Sequence, residues 1–235
     1  MFACEAVRLK PRDRIIGTAR ELFRKYGIRG IGVDAIAEAA GTNKMTLYRH
    51  FGSKDDLIVA CLRSVATEAD AIWADFETRY PNDPMAQLHA WVQVGAQCAL
   101  GDARGCDMAN TAVELAETDH PAHHVIEEFK SDQRDRLARL CARAGIQEAE
   151  LLADTLHLLI EGARVSCQSI GREGPGARFI PIAEATIAAF SRGETNEQRA
   201  SRQQNERTGR KYAAARSVSP RKTMQPTSAR PSSSR

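Results

Sequence analysis

Apolar residues recur at helical spacing along almost the whole chain up to residue 193. Ile15, Ile16, Ala19, Leu22, Phe23 and Tyr26 fall at i, i+1, i+4, i+7, i+8 and i+11, which predicts one helix with a single apolar face. Glycines in YGIRGIG stop it. VDAIAEAAG predicts a second, short helix with Val33, Ile36, Ala37 and Ala40 inward and Gly41 closing its C-terminus. Asn43 or Thr42 is placed to cap a third helix whose inward residues are Leu47 and Phe51. Ser53 followed by Asp56 reads as a capping box for a long fourth helix through Leu57, Cys61, Val65, Ile72, Trp73 and Phe76, ended by YPNDP.

Beyond residue 84 the same period predicts further helices. Asp83-Pro84 opens one that carries Leu88, Trp91, Val92 and Cys98 to the break at GDARG, and a shorter one covers about 106–117. Asp119 and Pro121 start another, through Val125, Phe129, Leu137 and Leu140 to Gly145. Residues 148–169 are apolar along two faces, and a last helix spans about 181–191. No segment alternates with period two, so the expected fold class is all-α. From about Gly193 large apolar residues almost vanish. Residues 194–235 are read as a disordered basic tail, too poor in burial to offset its ordering entropy.

Charge divides the chain into three. Residues 1–60 hold 11 Lys/Arg against 7 Asp/Glu (+4), residues 61–193 hold 12 against 20 (−8), and residues 194–235 hold 10 against 3 (+7). Basic ends and an acidic body suggest a polyanionic partner for the ends and a different role for the middle. The N-terminal MFACEAVRLKPRDR has no apolar signal core, and no run reaches the roughly 20 apolar residues that span a bilayer. The six cysteines (Cys4, Cys61, Cys98, Cys106, Cys141, Cys167) form no CxxC pair and sit mostly in apolar stretches, as expected for reduced thiols in a cytoplasm. A soluble, cytoplasmic chain with no membrane partner is expected.

The stretch GTNKMTLYRHFGSKDDL, residues 41–57, is basic, hydroxylated and aromatic around three apolar residues, Met45, Leu47 and Phe51. Two short helices joined by a glycine-containing turn, the second exposing such side chains, describe a helix-turn-helix. A major groove of B-DNA admits one helix, and residues at its N-terminus reach base edges. Thr42, Asn43 and Lys44 lie there. Thr46, Tyr48, His50 and Lys54 carry groups suited to phosphate oxygens, and Arg49 adds charge beside them.

Residues 9–69 resemble the DNA-binding domain of the TetR (tetracycline-repressor-like) family. The resemblance rests on IIGTARELFRKYGIRGIGVDAIAEAAGTNKMTLYRHFGSKDDL, with Phe23…Tyr26-Gly27 ending helix one and the TLYRHF.SK..L signature. It implies a three-helix domain over 9–69, after an N-terminal extension at 1–8, with the helix-turn-helix at 32–51. Thr42, Asn43, Lys44 and Met45 would then face the groove, and Thr46, Tyr48, His50 and Lys54 the backbone. Two residues depart from the common family pattern: Gly32 stands where many relatives have Ser or Thr, and Met45 where many have a small residue.

The resemblance further implies a helical regulatory and dimerisation domain over 70–193 that binds a small-molecule effector and pairs through its last two helices. The apolar, alanine-rich 148–169 and 178–192 suit a homodimer interface independently, with Leu156, Leu159, Ile160, Ala163, Ala185, Ala188 and Ala189 as candidates. Trp91, Cys98, Met108, Phe129 and His157 are the candidates to line an effector pocket, although each such residue is more often plain core packing.

No cofactor is expected. His120, His123 and His124 lack a cysteine or carboxylate at a familiar ligand spacing and read as helix-start chemistry rather than a metal site. GIRGIG lies between helices, which excludes a dinucleotide loop. His157 and Glu161, four apart, are the nearest approach to a catalytic pair, and a pocket or interface role serves them as well. The expected function is therefore non-enzymatic: an effector-released repressor on a double-stranded DNA operator. Two alternatives stay open, an architectural DNA-binding protein without ligand and a repressor that senses redox through cysteines such as Cys98 and Cys106.

Overall fold

The computed structural model describes residues 10–101, 104–115, 117 and 119–192; the N-terminal extension and the basic tail expected from sequence lie outside them. Every regular element among the described residues is helical. Helix α1 (Pro11–Tyr26) opens with proline in its first turn, carries Asp13 near its positive end and Arg24 and Lys25 at its negative end, and stops where Gly27 turns to a φ of 76°. Helix α2 (Val33–Ala39) ends on Gly41 at φ 62°, where Thr42 donates its N–H to the Ala37 carbonyl. Of the two candidate caps for helix α3 (Lys44–Phe51), Asn43 is the one used: its Oδ1 accepts the Thr46 N–H at 2.9 Å. Ser53 caps helix α4 (Lys54–Arg79), its Oγ accepting the Asp56 N–H at 3.0 Å.

Helices α5 (Pro84–Gly101), α6 (Asp107–Glu114), α7 (Pro121–Arg143), α8 (Ala149–Ile170) and α9 (Phe179–Ser191) follow, with a 3-10 turn at Pro175–Arg178 before the last. The expected start at Pro121 is present, and the cap is His120, whose Nδ1 accepts the Ala122 N–H at 3.1 Å.

The helices enclose three apolar clusters. One, inside α1–α4, holds Ile15, Ala19, Ile36, Leu47, Phe51 and Leu57. The largest joins α5, α7, α8 and α9 through Leu88, Val92, Leu137, Leu152, Leu156, Phe179 and Ile187. A small third cluster, with Ile28, Ile58, Leu62, Met108, Leu115 and Ile126, binds the α1–α2 turn and α4 to α6 and α7. Two expectations need correction here. Tyr26 is exposed rather than inward, its ring under the Lys25 ammonium at 5.1 Å. Met108 is fully buried in the third cluster, so it packs the joint between α4 and α6 rather than lining a pocket. No described helix is long and apolar enough to cross a membrane.

Three of the exposed large apolar residues of α8 fall on one stripe, while Ile170 at its C-terminal end lies off it. Leu151, Leu158 and Val165 are seven residues apart, Leu158 being 71% exposed, and Ile182 of α9 is exposed as well. The inner stripe of the same helix, Leu156, Ile160 and Ala163, is buried in the protomer's own core. Those three cannot reach a second subunit without unfolding the first, which corrects their place among the interface candidates. Leu159 is partly buried against the core, while Ala185, Ala188 and Ala189 are exposed.

Candidate DNA-reading helix and interior cavity

Helix α3 is held from behind by Leu47, fully buried, and Phe51, over whose ring the Arg12 guanidinium lies at 5.3 Å. Its outer side presents Asn43, Lys44, Met45, Tyr48, Arg49 and His50 to solvent, with Thr42 and Thr46 half-buried at the margin. Met45 is 80% exposed, an unusual position for a thioether with nothing to pack on. Lys44 is already engaged: its Nζ donates to Asp34 Oδ2 of α2 at 2.9 Å, and this bond holds the ammonium pKa above its ordinary value. Asp34 is thus part of this surface, and a helix-two carboxylate carried no separate signal in the sequence.

Lys54 departs from expectation. Its ammonium donates to the carbonyls of Ile28 at 2.5 Å and Ile31 at 2.7 Å, closing the α1–α2 turn onto the start of α4. Burial there lowers its pKa, with Glu114 and Asp55 opposing. The side chain is a tie within the fold, not a group turned outward to phosphate. Lys54→Met should therefore lower stability by about 1–2 kcal/mol, because two carbonyls lose a charged donor. Chemical denaturation measures it, and an unchanged midpoint would return Lys54 to the surface.

The same turn is gripped from the other side. Glu114, at the end of α6, accepts the backbone N–H of Ile28 at 2.9 Å and of Arg29 at 2.7 Å, while Arg29 donates to Glu117 at 2.7 Å. A Cβ on Gly27 would stand 2.9 Å from Glu114 Oε1, so the carboxylate's approach needs glycine there as much as the positive φ does. At the opposite end of α6, Asp107 accepts from Arg24 Nε at 2.6 Å and from Arg20 Nη2 at 3.4 Å, and Arg20 also pairs with Glu68 of α4. Helix α6 is fastened at both ends to the helices that carry α3.

Behind this junction lies a cavity of about 410 Å³ bounded by α1, α4, α5, α7, α8 and the start of α6. Four of the five pocket candidates line it: Trp91, Cys98, Phe129 and His157. Trp73, Phe76 and Ile72 complete an apolar wall, and Trp73 Nε1 donates to Gln133 Oε1 at 2.8 Å. At one end Lys130 Nζ lies 2.8 Å from Glu161 Oε2 and Arg164 Nη1 lies 2.8 Å from Glu161 Oε1. Burial alone would push the Glu161 carboxyl up, but its hydrogen bond to Lys130 and the two cations hold it below the usual range. Burial pushes the His157 imidazole below its ordinary value against the pull of Glu161, so it is neutral at pH 7. Glu161 is thus engaged by two cations, Lys130 and Arg164.

The cysteines divide by environment. Cys61 and Cys141 are buried and pushed up to about 12 by desolvation, Cys167 is buried, and Cys98 and Cys106 are more open and both border the cavity. Among the described residues no three histidines, cysteines or carboxylates gather as a metal site would require. His123 instead contacts the Leu115 carbonyl at 2.8 Å and His124 the Glu128 carboxylate at 3.2 Å.

Residues 15–61 match the sequence model of the bacterial regulatory proteins of the tetR family. The chain is 47% identical over 92 residues to the HTH-type transcriptional regulatory protein RaaS of Mycobacterium tuberculosis, covering 39% of this chain and 42% of that protein. It is 27% identical over 77 residues to the HTH-type transcriptional regulator AcrR of Shigella flexneri, covering 33% of this chain and 36% of that protein. The matches thus span less than half the length of either relative. The crystal structure of SCO4454, a TetR-family transcriptional regulator from Streptomyces coelicolor, superposes with a TM-score of 0.71 at 27% identity, covering 77% of this chain and 96% of that one. The helix-turn-helix segment thus matches the tetR family's sequence model, and the fold around it is similar to that of a TetR-family regulator.

Proposed function

We propose that the protein is a homodimeric, sequence-specific DNA-binding regulator, a repressor released from its operator when a small molecule occupies the interior cavity. The observation that carries this reading is α3 itself: a helix anchored by Leu47 and Phe51 that turns Asn43, Lys44, Met45, Tyr48, Arg49 and His50 outward together. Asn43, Lys44 and Met45, with Thr42 beside them, read bases. Thr46, Tyr48, Arg49 and His50 hold the backbone. The reading assigns residues 9–69 to DNA and 70–193 to regulation and pairing. Two copies meeting on the exposed stripe of α8 and α9 would set their α3 helices in successive major grooves about 34 Å apart. The cavity supports effector control, since α6 and α4 border it and are tied to α1 by Asp107, Arg20, Arg24 and Glu68. An effector acts by binding one arrangement of these helices more tightly than another.

The test is selection of bound sequences from random duplex DNA with the full chain, repeated at raised salt. A near-palindromic motif that persists as salt rises supports groove reading by a dimer; enrichment that vanishes with salt, without a motif, replaces it with architectural binding through charge alone. Lys44→Ala should weaken the selected site by roughly tenfold or more and relax base choice at one position of each half-site. Equal weakening on every sequence would make Lys44 a phosphate contact.

A further inference from the structure

We infer that the interior cavity takes a molecule with an apolar or aromatic body and one anionic group, the anion held between Lys130 and Arg164. This deepens the reading of the cavity as the effector site and rests on it. The body follows from the walls: Trp73, Phe76, Trp91 and Phe129 give broad, flat apolar surface, and about 410 Å³ lies within the range of pockets for small organic molecules.

The head group follows from how the charges pair. At the end nearer the α3-bearing helices, Arg20 and Arg24 face Glu68 and Asp107, two cations against two anions. At the other end Lys130 and Arg164 converge on one carboxylate, Glu161, and His157 beside them is neutral. Among the described residues lining the cavity, this end carries one positive charge more than its anions. Lys130 has three N–H donors and Arg164 five, and one carboxylate cannot occupy them all. In a partly dehydrated pocket such a surplus favours an anion and opposes a cation. A cationic guest would have to displace a lysine or an arginine from Glu161, or lie against the surplus.

The protein supplies its own reporter. It has two tryptophans, Trp73 and Trp91, and both line this cavity. Tryptophan fluorescence of the full chain would be titrated at pH 7.5 with three probes of one shape: 4-phenylbutyrate, 4-phenylbutan-1-ol and 4-phenylbutylamine. The carboxylate should bind on the order of tenfold tighter than the alcohol, the worth of a charged hydrogen bond, and the amine more weakly than either. Arg164→Met should erase the carboxylate's advantage while the alcohol still binds. Glu161→Gln, which enlarges the surplus, should increase it. An amine that binds as well as the carboxylate overturns the inference, and so does an advantage that survives Arg164→Met and ignores Glu161→Gln. Binding is read without DNA. Release of the selected duplex by the same carboxylate is a separate measurement, so the ligand class and the effector role can fail independently.

Discussion

On the proposed pairing through α8 and α9, Leu158→Glu is expected to turn a dimer into a monomer without unfolding it. Leu158 is 71% exposed on the α8 stripe it shares with Leu151 and Val165, so a protomer accommodates glutamate there at little cost. In a two-fold interface the substitution is met twice, and each carboxylate would lose its hydration against apolar residues of the partner. The effective penalty of several kcal/mol per ion weakens association by a thousandfold or more. Light scattering at micromolar concentration reads the mass, and far-ultraviolet circular dichroism verifies the fold. The neighbouring Leu159→Glu makes the contrast. That side chain packs on the core of α5, α7 and α9, so its replacement should lower the melting temperature as well. A Leu158→Glu protein that remains dimeric would place the contact on another face, and operator affinity should fall along with the dimer.

Glu114→Gln is expected to loosen the α1–α2 turn. The carboxylate accepts two adjacent backbone N–H groups, from Ile28 and Arg29. An amide offers one oxygen and turns an N–H₂ toward a donor. Losing one charged hydrogen bond and weakening the other should cost about 2 kcal/mol at this part-exposed site. Amide exchange at Ile28 and Arg29 should accelerate far more than exchange in α7 or α8, because the loss is local. Exchange that is uniformly faster would mean the substitution destabilises the whole molecule; unchanged exchange would mean the carboxylate holds nothing. Lys54 ties the same turn through the Ile28 and Ile31 carbonyls, so Glu114→Gln and Lys54→Met should not be additive.

What could be read from the sequence was what local chemistry decides. The Ser53 cap, the inward Leu47 and Phe51 and the ends of α1 and α4 each depend on residues within a turn or two of one another, and they stand where the spacing puts them. The apolar candidates on α8 divide between core and surface for a physical reason. Leu151, Leu152, Leu156, Leu158, Leu159 and Ile160 make two faces of one helix apolar, and period alone cannot say which faces the core. The structure turns Leu156 and Ile160 inward and leaves Leu151 and Leu158 outside. Lys54 was misread because a lysine beside a DNA-reading helix suits phosphate as well as it suits two carbonyls 23 and 26 residues away. The Glu114 and Asp107 ties reach 83 to 87 residues back along the chain, and only the folded arrangement brings them to α1. Trp91, Phe129 and His157 line the cavity because large side chains on consecutive helices of a bundle tend to share its interior. Lys130 and Arg164 line it too, although nothing in their own neighbourhood along the chain distinguishes them from surface charge.

Helix α4 has 26 residues, from Lys54 to Arg79, and neither glycine nor proline among them. Its first turns carry Leu57 and Cys61 into the cluster under α3, and its last carry Trp73 and Phe76 to the cavity. With no residue at which to bend, it behaves as a rod roughly 39 Å long. A rod transmits angle rather than distance: tilted by about 5° near its cavity end, it would swing its other end by about 3 Å over that length. A shift of that size is close to one base-pair rise. On a pair of subunits it would be doubled, and no peptide bond within α4 would have to change its conformation.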